Sequence, residues 1–145
     1  MFLLNLQCEN RICKTMTQEE KQLLLKDICA RSLYGVKIQI GSYSDYKLIG
    51  VVLADKKPVK VELEGQIIDI SVENIKPHLR PMSSMTEEEK LKYITLTHYN
   101  TDDDGKPYRE LTIESIDWLN THHFDYRGLI EKGLALEDKE GVYKV

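Results

Sequence analysis

Apolar and polar residues follow two different rhythms along this chain, and the change of rhythm divides it. After Thr17, residues Leu24, Leu25, Ile28 and Cys29 recur at helical spacing, with Leu23 widening the apolar face. Thr17 and Glu20 stand at capping-box spacing, so hydroxyl and carboxylate can each take a free amide of the first turn. Tyr34-Gly35 closes this helix, since glycine enters the left-handed region without strain. The period then drops to two. Val36, Ile38 and Ile40 alternate with Lys37 and Gln39, and residues 41–45 make a turn. Leu48, Ile49, Val51, Val52 and Leu53 form a nearly continuous apolar run, the mark of a central strand, and Gly50 within it predicts a bulge. After a turn at 55–58, Val59, Val61 and Leu63 alternate with Lys60, Glu62 and Glu64. Glu64-Gly65 then predicts a two-residue hairpin into 66–72, with Ile68, Ile70 and Val72 on one face.

Beyond the strands, Pro77 and Pro81 bracket a stiff connector, because proline restricts its own and the preceding backbone. Thr86 with Glu89 repeats the capping-box spacing, and Leu91 and Ile94 continue a helix that fades at His98. Residues 100–107 read as a loop. Ile113, Ile116 and Leu119 predict a further helix with Trp118 beside its stripe. Asp125 as N-cap, Tyr126, Leu129, Ile130 and Leu134 on one face, and Gly133 at the closing position predict another. The expected fold class is α+β: an N-terminal helix, a small antiparallel SH3-like barrel or curled sheet of four to five strands, and a C-terminal segment ending in a helical hairpin on Trp118. The expected organisation is a flexible extension over 1–15, a helix plus SH3-like unit over 16–81, and a helical region over 82–145.

Composition narrows the class. The chain has 145 residues, 41% apolar and 30% charged, which fits one folded domain and excludes wholesale disorder. Its net charge of -4 removes bulk attraction to nucleic acid and leaves only a local basic patch as a route to it. The apolar start Met1 to Leu6 has no basic residue ahead of it and stops at Gln7, and no run approaches the ~20 apolar residues that span a bilayer. A cytoplasmic protein without a membrane partner is expected. Cys8, Cys13 and Cys29 are odd in number and lack zinc-finger spacing, and a Cys8–Cys13 disulfide does not suit a reducing cytosol. Cys29 reads as a small core residue.

No complete catalytic motif is present. Asn100, Asp102, Asp104 and Gly105 start like a calcium loop, but position 111, where the closing glutamate belongs, is Leu111, and Pro107 interrupts the loop. His98, His122, His123, Asp117 and Asp125 carry metal-ligand chemistry without metal-ligand spacing. Ser83-Ser84 lacks a nucleophile elbow, and there is no glycine-rich phosphate loop. No catalytic residue, metal or cofactor is therefore assigned. The binding candidates are basic and aromatic: Tyr43, Tyr46, Lys56, Lys57, Lys60, Lys76 and Arg80 in or near the sheet, with Lys37, Lys47 and His78 beside them. Trp118, Phe124 and Tyr126 join Tyr99 and Tyr108 as a second, aromatic set.

Three blocks carry a resemblance. Residues 17–36, opening Thr17-Gln18-Glu19-Glu20-Lys21 and closing Leu33-Tyr34-Gly35-Val36, form the first. Residues 75–88 (Ile75-Lys76-Pro77-His78-Leu79-Arg80-Pro81 into Met82-Ser83-Ser84-Met85-Thr86) form the second. Ile113-Glu114-Ser115-Ile116-Asp117-Trp118-Leu119-Asn120 with 124–130 forms the third. Together they resemble a family of short proteins from Bacteroides-type gut bacteria, often prophage- or mobile-element-associated, to which no activity is assigned. The resemblance implies an accessory or regulatory role and treats 1–15 as an extension. The expectation is a non-enzymatic binding or adaptor protein with a protein partner. The alternatives are a nucleic-acid adaptor using the basic sheet face, and a metal-assisted hydrolase using His98, His122, His123 and Asp125. Oligomeric state stays open.

Overall fold

The computed structural model describes residues 15–138 together with Tyr143. The predicted extension, with Cys8 and Cys13, lies outside the described residues but for Thr15. Helix α1 (Gln18–Arg31) starts where its cap is written: Glu20 N–H donates to the Thr17 hydroxyl at 3.1 Å and Thr17 N–H to the Glu20 carboxylate at 2.9 Å. Leu24 and Ile28 turn inward and Gly35 takes φ 68 as the chain leaves for the sheet. Cys29 is exposed, which corrects its assignment to the core. It sits one residue, about 100° of helix, past Ile28, and the core needs only the Leu24–Ile28–Arg31 face.

Strands β1 (Lys37–Ile40), β2 (Tyr43–Val51), β3 (Val59–Leu63) and β4 (Gln66–Ile70) form the expected antiparallel meander. The register shift between Leu48 and Gly50 is the predicted bulge. Glu64 (φ 52) and Gly65 (φ 84) are both left-handed, the requirement of a tight two-residue hairpin whose twist matches the strands. Alternation puts Ile38, Leu48, Val59 and Val61 on the inner face, where they meet Leu24, Ile28, Val36, Val72, Ile75 and Leu79 in the main core.

Two expectations about the sheet change. The connector 75–81 contains a strand, β5 (Lys76–Leu79), antiparallel to β1, with Pro77 opposite Ile38. On its other side β5 pairs in parallel with β8 (Leu136–Glu137), so the sheet is six-stranded and mixed, in order β4-β3-β2-β1-β5-β8. It is also open. Both sides of β5 are occupied, by β1 and by β8, so β4 has no partner strand among the described residues and no barrel closes.

A short 3₁₀ turn (Met82–Ser84) leads from β5 to α2 (Glu87–Leu96), again opened by a capping box, Thr86 with Glu89. The predicted loop 100–107 is a hairpin of β6 (His98–Thr101) and β7 (Pro107–Glu110). Asp102 builds its turn, its carboxylate accepting from Asp104 N–H (2.9 Å) and Lys106 N–H (2.8 Å). Helix α3 (Ile113–Thr121) follows.

The second helix of the predicted C-terminal hairpin does not form. Gly128 (φ 74) breaks it early, and the buried Asp125 carboxylate takes Leu129 N–H (2.8 Å) and Ile130 N–H (2.9 Å) as a turn. One part of the expectation stands: Gly133 (φ 75) lets Leu134 fold back, its N–H donating to Leu129 carbonyl at 2.9 Å. Leu129, Leu134 and Ala135 thereby join the main core, while Met85, Leu119 and Phe124 form a second cluster with Tyr93, Trp118 and Tyr126 at its margin.

Arg31 joins the two clusters. Fully buried, it donates Nε to Asp27 Oδ2 and Nη2 to the Phe124 carbonyl, both at 2.7 Å, while Arg127 reaches the other Asp27 oxygen at 3.1 Å. Burial pushes the Asp27 carboxyl above its usual range, against the pull of Arg31 and Arg127. Removing one partner of such a pair strands a buried charge. Asp27→Ala is expected to lower unfolding free energy by about 3–5 kcal/mol in chemical denaturation, and the double change Asp27→Leu with Arg31→Met to recover much of it.

Candidate functional site

The residues that the sequence marks for binding fall in different settings. Tyr43 is 65% exposed at the start of β2, whereas Tyr46 turns inward and packs against the main core. Lys56 and Lys57 are exposed in the turn between β2 and β3. Lys60 is held between Asp55 and Asp69, 3.0 Å from each, and those hydrogen bonds raise its pKa. Lys76 is exposed on β5. Residues directly opposite share a face, so Lys37, Lys47, Glu62 and Ile67 make one row across the outer sheet face, and Lys76 stands opposite Gln39. The positive face is thus short, with Glu62 beside Lys47 and Lys60 neutralised.

The C-terminal candidates mostly serve the second cluster. Phe124 is fully buried. Arg80 lies 4.1 Å over its ring and forms a bidentate pair with Glu89 at 2.7 and 3.0 Å, which holds the Glu89 carboxyl below its usual range. Trp118 is half-buried and stacks on Phe124 with centroids 5.6 Å apart. The Tyr126 hydroxyl donates to Asn120 Oδ1 at 2.8 Å, and its ring lies 5.1 Å from both Arg31 and Arg127. These contacts fix the side chains and leave little of them to a partner.

The metal-ligand set is dispersed. His98 is exposed on β6, His122 Nδ1 lies 2.9 Å from the Trp118 carbonyl, and Asp125 is engaged with its turn. Among the described residues no three His, Cys, Asp or Glu side chains converge.

A different surface stands out instead, of which the sequence marks only Tyr99 and Tyr108. From Glu87 to Glu110, through α2 and the β6–β7 hairpin, Thr97 alone is buried. Leu91 (66% exposed), Ile94, Tyr99 (66%) and Tyr108 face solvent there, and Leu111 and Ile113 (77%) extend the apolar exposure into the start of α3. Few bonds hold this arm. Arg80 grips Glu89 at its base, Tyr93 packs against the second cluster, and the Thr112 hydroxyl donates to the Leu96 carbonyl at 2.6 Å. Arg109 lies over Tyr99 at 5.6 Å and reaches the Ile94 carbonyl at 3.5 Å, which ties hairpin to helix end. The signal for the hairpin was Asp104-Gly105, a turn dipeptide between residues able to pair.

The sheet seam is a second feature invisible in the sequence. Where the β1–β5 ladder ends, the Tyr143 hydroxyl accepts from Lys37 N–H at 2.7 Å and donates to the His78 carbonyl at 2.6 Å. Its ring stacks on His123, centroids 3.7 Å apart, and burial pushes the phenol pKa up. Burial likewise lowers His78, and lowers His123 to about 4, with Arg31 adding to the effect.

No family model, no curated protein and no solved structure matches this chain.

Two outcomes follow from the seam. Tyr143→Phe leaves the Lys37 amide and His78 carbonyl without their bridge and is expected to cost about 1–3 kcal/mol, read by thermal or urea unfolding. His123 has its folded pKa depressed from 6.5 to about 4, so the unfolded chain binds the proton more readily. Stability is full above pH ~6.5 and declines as pH falls toward ~4, by up to about 3 kcal/mol from this group. Urea midpoints between pH 7 and ~4 should show that decline, and His123→Asn, suited to the left-handed φ of 63 at this position, should flatten it.

Proposed function

We propose that this chain is a non-enzymatic adaptor that binds a protein partner through the arm formed by α2, the β6–β7 hairpin and the start of α3. The observation behind this reading is the exposure of Leu91, Ile94, Tyr99, Tyr108, Leu111 and Ile113 on a stretch, 87–113, whose one contribution to either cluster is Tyr93 at the margin of the second. A two-stranded hairpin is marginal by itself in water, so retaining one with its aromatics outward calls for a surface to pack against. Aromatic and aliphatic side chains with a nearby arginine are also the composition of interface centres.

Charge indicates the kind of partner. Residues 86–117 carry nine carboxylates against four basic side chains, so the arm repels nucleic acid and suits a protein with an apolar centre and a basic rim. The resemblance to short Bacteroides-type proteins associated with mobile elements supports an accessory role for the complex.

Affinity capture from nuclease-treated native host lysate tests the reading. The expected result is a specific protein retained by the wild-type chain, weakened at least tenfold by Ile94→Asp with Tyr99→Ala, in a variant whose melting temperature stays within a few degrees of wild type. Capture indifferent to those changes, or lost on nuclease treatment, would overturn it.

A further inference from the structure

Among the described residues strand β4 presents an open edge without the usual protection. Natural edges carry lysines, prolines, bulges or a covering loop, since free N–H and C=O groups are a template for another strand. Gln66–Ile70 has none of these: it pairs with β3 through five consecutive residues without a register shift, and its sequence is Gln-Ile-Ile-Asp-Ile. Its one charge, Asp69, is paired with Lys60 at 3.0 Å. Ile67 is 62% exposed and Ile68 37%.

The hairpin fixes which groups face outward. A two-residue turn makes Leu63 and Gln66 a hydrogen-bonded pair, and such pairs alternate along an antiparallel ladder. Val61–Ile68 and Val59–Ile70 therefore exchange bonds within the sheet, whereas Ile67 and Asp69 aim their N–H and C=O at the open edge.

We infer that this edge pairs with the same edge of a second copy, antiparallel about a two-fold axis through Ile68. Only registers that pair residues of like parity keep both sheets continuous, because side chains alternate between faces. With Ile68 opposite its own mate, Ile67 of each copy meets Asp69 of the other, and both pairs exchange two hydrogen bonds. All outward groups of the strand are then used, Ile68 packs on its mate at the closer, non-hydrogen-bonded spacing, and no like charges face each other. Centring on Ile67 satisfies fewer groups, and centring on Asp69 sets two carboxylates side by side. The arrangement is isologous, as a two-fold interface requires. On the inner face Ile68 borders a groove of about 230 Å³ lined by Tyr46, Leu63, Glu64 and Gln66, a mostly polar recess that leaves room for the partner's side chains. This inference is independent of the arm, which lies on other elements; a dimer would carry two arms and bind a multivalent partner with avidity.

Strand-to-strand contact is smaller than the ~1,200–2,000 Å² of a stable interface, so a reversible dimer with Kd of order micromolar is expected. Sedimentation velocity on the full chain across roughly that range should show monomer giving way to dimer. Ile67→Pro removes an edge donor without touching the β3 ladder and should leave monomer, while Ile67→Thr keeps the donor and the dimer. In a chain with Cys8, Cys13 and Cys29 changed to serine, Ile68→Cys should cross-link to a covalent dimer under mild oxidation, and Ile67→Cys, which meets Asp69, should not. A monomer at every concentration, a dimer unaffected by Ile67→Pro, or equal cross-linking at both positions would overturn the inference.

Discussion

The fold turns on one buried cation. Arg31 sits at the inner end of α1, fully excluded from solvent, and bonds a carboxylate of its own helix and a backbone carbonyl beyond α3. Buried guanidinium is tolerable only where its donors find acceptors, and here those acceptors belong to two different parts of the chain. Asp27 takes its Nε locally and the Phe124 carbonyl takes its Nη2 at a sequence distance of 93 residues, while the buried Nη1 has no hydrogen-bond partner among the described residues. With Arg127 on the other side of Asp27, and Tyr126 beneath both guanidinium groups, the same cluster positions the turn that carries Leu129 and Leu134 into the main core.

From that joint the remaining geometry follows in order. Fixing Phe124 fixes the platform on which Arg80 lies and Trp118 stacks, and Arg80 holds Glu89 at the first turn of α2. The arm is anchored at its base and left free along its length, so its apolar residues stay outward without the arm detaching. On the sheet side, the segment after the turn delivers β8 to the outer side of β5, and Tyr143 bridges the end of the β1–β5 ladder. Occupying β5 on both sides leaves β4 without a second partner strand among the described residues, so the interior contacts determine that this edge is exposed.

Local signals were legible wherever a few neighbouring residues settle the matter. Both capping boxes, the bulge at Gly50 and the left-handed hairpin at Glu64-Gly65 appear where the sequence places them, because each depends on geometry within four or five residues. The misreadings share a cause. Pro77 looked like the end of strand pairing, yet one missing donor is harmless where the ladder is two pairs long. The 125–134 segment has a helical apolar pattern, but Gly128 in the left-handed region and the Asp125 carboxylate favour a turn. Leu91 and Ile94 have core spacing and no core to enter, since periodicity shows which residues share a face and says nothing about what that face meets.

By itself the sequence determined the α+β class, the N-terminal helix, the four-strand meander and the capped starts of α1 and α2, because these rest on short-range stereochemistry and alternation. Tertiary structure alone decided the rest. The sheet stays open because β8, which lies 58 positions further along the chain than the β5 residues it pairs with, occupies the side of β5 that closure with β4 would need. Arg80, Trp118, Phe124 and Tyr126 become internal supports, and Lys60 a neutralised cation, because the folded chain sets partners from other elements against them. Burial and pairing are properties of the assembled chain, and they separate a side chain that binds from one that only holds.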